Sequence, residues 1–77
     1  MFDLHLNDMI FFECEYENCK YLNMNIDKII ISYNITNDKF LMFYIGIDYE
    51  HNDREFRERY PEFVNEVLDY VNGKGEI

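Results

Sequence analysis

The chain has no alanine, no glutamine and no tryptophan, one serine (Ser32), one threonine (Thr36), one proline (Pro61) and three glycines. These gaps exclude several chemistries. Ser32 and Thr36 sit in a β-branched, aromatic stretch, away from any strand-to-helix elbow of the GxSxG kind. Gly46, Gly73 and Gly75 are too scattered for a P-loop or a GxGxxG turn. A nucleophile also needs a base and an orienting group held around a pocket. A core already crowded with aromatics leaves little room for one: 77 residues include seven Phe and seven Tyr. Catalysis is not expected, and no cofactor motif is present.

Bases are scarce too. Seven Lys and Arg face sixteen Asp and Glu, for a net charge of −9. Residues 1–19 hold five acids and no Lys or Arg, residues 20–47 three lysines and two acids, and residues 48–77 nine acids and four bases. Such a surface repels nucleic acid and anionic lipid and attracts basic partners. Direct nucleic-acid binding and membrane association are therefore not expected. No apolar run reaches transmembrane length, and residues 1–19 lack the basic and apolar regions of an export signal. These features imply a cytoplasmic protein of a bacterial host cell with reduced cysteines. The wealth of Asn, Ile, Phe, Tyr and Lys suggests AT-rich coding, as in a low-GC bacterium, its phage or a mobile element.

Metal ligands are few. Cys14 and Cys19 have the spacing Cys-x4-Cys, but His5 and His51 show no paired spacing, so a Cys2His2 centre is not expected. Cys14 is instead expected in the core as a small hydrophobe. Residues 48–55 are acidic but lack the glycine of a calcium-binding loop.

What is present reads as one α+β domain over residues 1–77. A chain this short buries only about 60% of its unfolded surface, so dense packing or oligomerisation matters. Residues 2–6 and 10–17 alternate apolar and polar and are expected to pair as a hairpin about Asn7-Asp8, with Ile10, Phe12, Cys14 and Tyr16 inward. Residues 20–26 suit an edge strand or a loop. Residues 28–36 and 39–48 read as strands joined by Asn37-Asp38, setting Tyr33 opposite Met42 and Ile31 opposite Tyr44. Residues 53–72 carry apolar side chains every three or four positions, a helical signature that Asn72-Gly73 ends. Pro61 marks either a kink or the start of a second, nearly collinear piece. The expected architecture is a small antiparallel sheet of four strands, five if residues 20–26 join, followed by a C-terminal helix packed on it (ββββα). Residues 73–77 read as a loose tail.

Three groups stand out as candidate contact residues. Glu13, Glu15 and Glu17 alternate along one strand and would stand about 6.8 Å apart in a row. Ordinary edge protection by charge accounts for such a row when it stands alone. Glu55, Glu58, Glu62, Glu66 and Asp69 fall within about 80° of one another on a helical wheel, opposite the apolar stripe. Leu41, Phe43 and Ile45 share the sheet face opposite the expected core, where either the N-terminal hairpin or a homodimer would cover them.

The charge, the acidic groups and the missing catalytic equipment together suggest a small binding protein. It would inhibit a basic, nucleic-acid-binding partner by charge mimicry or site occlusion. In composition and class the profile resembles phage-encoded inhibitors, DNA mimics and anti-CRISPR proteins among them, although no motif matches a named family. An immunity protein or antitoxin acting on a cognate toxin is the alternative reading. A homo-oligomeric structural or regulatory subunit is a further one.

Overall fold

A computed structural model describes residues 3–73. The described residues form an antiparallel five-stranded sheet and two helices, an α+β arrangement. A short 3-10 turn over Leu6–Asp8 leads into β1 (Ile10–Tyr16), β2 (Cys19–Ile26), β3 (Ile29–Asn34), β4 (Lys39–Tyr44) and the brief β5 (Glu50–His51). Helices α1 (Asp53–Arg59) and α2 (Pro61–Val71) follow. The sheet is a simple meander, β1-β2-β3-β4-β5, so among the described residues β1 is an edge strand.

Turn chemistry explains the meander. Glu17 and Asn18 both take positive φ, 50° and 68°, which matches the right-handed twist of a two-residue hairpin loop. Residues 20–26, ambiguous in the sequence, thereby become part of a full strand, Cys19–Ile26, hydrogen-bonded on both sides. Asp27, at φ 55°, turns the chain into β3. Between β3 and β4 the loop has four residues rather than two. The Asn34 side chain accepts from the Asn37 N–H (2.9 Å), and the Asn34 carbonyl accepts from the Asp38 N–H (2.7 Å). Tyr33 consequently pairs with Phe40 and Ile31 with Met42, a slip of two residues from the expected register. An even slip keeps every side chain on its expected face.

Two expectations fail in the N-terminal third. Residues 4–9 form no strand; Leu4, Leu6 and Met9 are buried, and the 3-10 turn packs against α2. The larger correction concerns β1. Phe11 lies opposite Met24, Glu13 opposite Leu22 and Glu15 opposite Lys20. Leu22 and Met24 are fully buried, so Phe11, Glu13 and Glu15 share the helix-bearing face. Ile10, Phe12, Cys14 and Tyr16, expected inward, project from the opposite face and are exposed. The parity of an edge strand is set by its neighbour's register, and β2 commits Leu22 and Met24 to the core.

The core lies between this helix-bearing face and the helices. Phe40 stacks on Tyr33 (4.3 Å between ring centroids) and on Phe56 (5.0 Å), and Phe56 also meets Tyr60 and Phe63. The helical segment divides at Tyr60, whose φ −131° and ψ 54° leave the helical region. Pro61 then opens α2 at the position where its missing N–H costs nothing. Helix α1 begins with a full capping box between Asn52 and Glu55. Gly73, at φ 79°, follows the end of α2. The tail expected beyond it lies outside the described residues. Residues 39–48 do not form one strand: β4 ends at Tyr44, Gly46 turns at φ 90°, and Ile45 lies in the turn.

Candidate functional site

The acidic residues singled out in the sequence divide by the work they do. Glu55 completes the α1 cap, accepting from the Asn52 N–H (3.4 Å), and its carboxylate lies 3.9 Å from the buried His51 imidazole. Glu58 pairs with Arg54 (3.5 Å) on the exposed side of α1. Glu66 straps down the N-terminal segment: one oxygen accepts from the Leu6 N–H (2.9 Å) and the other meets His5 Nδ1 (3.1 Å). This bond and the nearby acids push the His5 pKa above its usual value. Glu17 sits in the β1–β2 turn, beyond the strand that carries Glu13 and Glu15. The expected row of three is therefore a row of two, and Glu15 has a cross-strand base in Lys20. The helical stripe of five acids is likewise split across two helices.

A second cluster was not visible as a site in the sequence. Arg57 reaches from α1 to the β3–β4 loop. It donates to Asp53 (2.9 Å) and to both the carboxylate (2.9 Å) and the carbonyl (3.0 Å) of Asp38, while its guanidinium covers the Phe40 ring. The Tyr33 hydroxyl donates to Asp38 (2.6 Å), and Asp53 accepts from the Phe40 N–H (2.8 Å). Burial and this bond to Asp38 push the Tyr33 hydroxyl up to about 12. Asp38 is held below the usual carboxylate range by Tyr33 and then Arg57. Burial opposes the same shift in Asp53, but the Phe40 N–H and Arg57 outweigh it. The four groups are two local pairs, Tyr33 with Asp38 and Asp53 with Arg57, and the bond that joins the pairs, Arg57 to Asp38, spans 19 residues, so no local motif announces the cluster.

Glu13, Glu15, Glu62 and Asp69 are left exposed and, among the described residues, in no ion pair. All four lie on one side of the molecule. Glu13 and Glu15 project from the helix-bearing face of the sheet, and Glu62 and Asp69 from the outward stripe of α2 above that same face. Phe11 of β1 meets Tyr70 of α2 edge to face, with centroids 5.3 Å apart, which sets the Asp69 end of the helix against the Glu13 strand.

The other side of the sheet is different in kind. Ile10, Phe12, Tyr16 and Phe43 are 75%, 51%, 65% and 37% exposed. Leu41 is half-buried beside Phe43, as expected of that face, whereas Ile45 is exposed from the turn beyond it. Among the described residues nothing lies over this face. The N-terminal segment, a candidate cover, packs on the helix side instead. Cys14 and Cys19 also sit on the open face and are free; the Asn23 side-chain amide donates to Cys14 Sγ (3.1 Å). The four residues weighed as metal ligands do not converge, since His5 pairs with Glu66 and His51 is buried in β5.

Comparison with family models, with curated proteins and with solved structures finds no match. No helix of the described residues is long and apolar enough to cross a membrane.

Proposed function

We propose that this chain is a small, non-catalytic acidic protein of phage or mobile-element type. It inhibits a basic, nucleic-acid-binding partner in a bacterial cytoplasm by occupying the partner's anion site. The observation that carries the reading is the placement of Glu13, Glu15, Glu62 and Asp69 on one side of the sheet. Four exposed carboxylates on a body of net charge −9 make a predominantly acidic surface, with Lys20 opposite Glu15 and Arg59 near Glu62 as its nearby bases. That surface speeds encounter with a basic partner and fixes orientation, and salt weakens the association. Glu55, Glu58 and Glu66 help by sign alone, since they already have partners within the fold.

The test is capture from bacterial lysate on the immobilised protein and on a variant with Glu13→Lys, Glu15→Lys, Glu62→Lys and Asp69→Lys. These side chains are exposed, so the melt of the variant should stay close to that of the natural chain. Retention of basic proteins that duplex DNA displaces, and their loss from the variant, is the expected result. Equal capture by both proteins, or capture indifferent to salt and to DNA, contradicts the reading.

A further inference from the structure

We infer that the open face of the sheet is a self-association surface, on which a second copy of this chain packs face to face to complete a two-sheet sandwich. This goes beyond the acidic surface, because it uses the opposite side of the molecule.

Charge distribution is the first argument. Register places only two charged strand side chains on the open face, Lys39 and Glu50. The rest is aromatic, aliphatic or uncharged polar, including Phe12, Tyr16, Phe43 and Asn23. A basic partner finds only Glu50 to attract it there, with Lys39 on the same face. A second copy suffers little from its like charge, because the other strand acids, Glu13 and Glu15, point away from the shared plane in both protomers. Sheets pack about 10 Å apart, and outward charges beyond them are separated by more than the roughly 8 Å screening length at physiological salt. Depletion of charge with enrichment of Tyr and Phe is also the composition of interface cores.

Self-complementarity is the second. A two-fold axis lying across the strands sets β4 over its own copy end for end. The Lys39 end then meets the Phe43 end, where Phe43 pairs with Glu50. Each Lys39 comes near the partner's Glu50, and the two charged residues of the face neutralise each other isologously. Area is the third. The five strands hold 29 residues, and at about 4.8 Å between strands and about 3.4 Å per residue they project a face of roughly 470 Å². Side-chain relief raises this toward the ~800 Å² per partner of a standard interface.

The experiment is sedimentation of the full chain over a range of protein concentrations at low and high salt, with the reaction of Cys14 and Cys19 toward iodoacetamide as a second readout. The dimer fraction should rise with concentration and with salt, and alkylation of both thiols should slow in step. Phe12→Asp and Phe43→Asp, both at exposed positions in different strands, should each weaken the dimer about tenfold or more with unchanged circular dichroism. A monomer at every concentration and salt overturns the inference, as does a dimer that survives both substitutions. A dimer lost with Phe12→Asp alone overturns it too, since that result places the contact at the β1 edge. The lysine variants of the acidic surface should dimerise like the natural chain, so this inference and the proposed function fail separately.

Discussion

Glu13 stands directly across the β1–β2 ladder from Leu22, a side chain with no exposed surface. An acid and a core residue thus share one face of the sheet, and the aromatic row of β1 is turned outward. The relationship organises the molecule: acids gather on the helix side, and uncharged bulk gathers on the bare side.

That parity is open to a direct stability comparison. In dilute protein, Phe12→Asp should change the unfolding free energy by no more than about 0.5 kcal/mol, the range of ordinary surface substitutions. Leu22→Ala should cost about 2–5 kcal/mol, as core truncations do. Urea unfolding measures both. A large loss with Phe12→Asp would place the β1 aromatics in the core instead.

Arg57 joins α1 to the β3–β4 loop through Asp38 and Asp53, and the network makes stability depend on pH. Both carboxylates have folded pKa values below the ordinary 3.8, so both bind protons more readily when unfolded. Their contribution is present above that ordinary value and is lost as pH falls through the lowered folded values. Urea midpoints should drop steeply between neutral and strongly acid solution. Arg57→Ala should lower the neutral midpoint by about 1–3 kcal/mol in stability and flatten that acid dependence. A parallel pH curve in the variant would remove Arg57 as the cause.

Tyr33 gives the opposite sign. Its hydroxyl, pushed up to about 12 from 10, stays neutral in the folded protein where the unfolded chain would ionise. The contribution is complete below pH 10 and disappears as pH rises through the folded value. Tyr33→Phe should abolish this alkaline loss while costing about 1 kcal/mol at neutral pH. An unchanged alkaline limb in the phenylalanine variant would assign the loss to other groups.

Glu66 holds the Leu6 amide and the His5 ring together. In Glu66→Ala the Leu6 N–H should exchange faster, and the His5 titration should move down toward the ordinary 6.5. His5 stabilises the strap below 6.5, and that support is lost as pH rises through its raised folded value. NMR titration with amide exchange reads both effects. Unmoved signals would mean that the segment is held by Leu4, Leu6 and Met9 alone.

The legible parts of the fold were those with strong local signals. Residues 29–34 and 39–44 are β-branched and aromatic, and 61–71 repeat apolar side chains at helical spacing with Pro61 and Gly73 as bounds. Asn37-Asp38 misled because Asn34 bonds ahead into the loop and lengthens it, which no dipeptide reveals. β1 misled because its apolar set, Ile10, Phe12, Cys14 and Tyr16, lies on the bare face, and only the pairing with buried Leu22 and Met24 decides which face is core. β5 and the buried His51 were invisible inside an acidic stretch, since two residues paired to Met42 and Phe43 leave no period to read. The acids themselves were identified from sequence. Which of them were already committed to His5, Arg54 or Asn52 depended on tertiary placement.

The central claim is that the helix-side acids form the contact surface for a basic partner. Capture of lysate proteins on the natural chain and on the Glu13, Glu15, Glu62 and Asp69 lysine variant, side by side across a salt gradient, tests it most directly. The account predicts a set of basic proteins retained at low salt by the natural chain, displaced by duplex DNA and absent from the variant. The same set on both columns, eluting at the same salt, would contradict it.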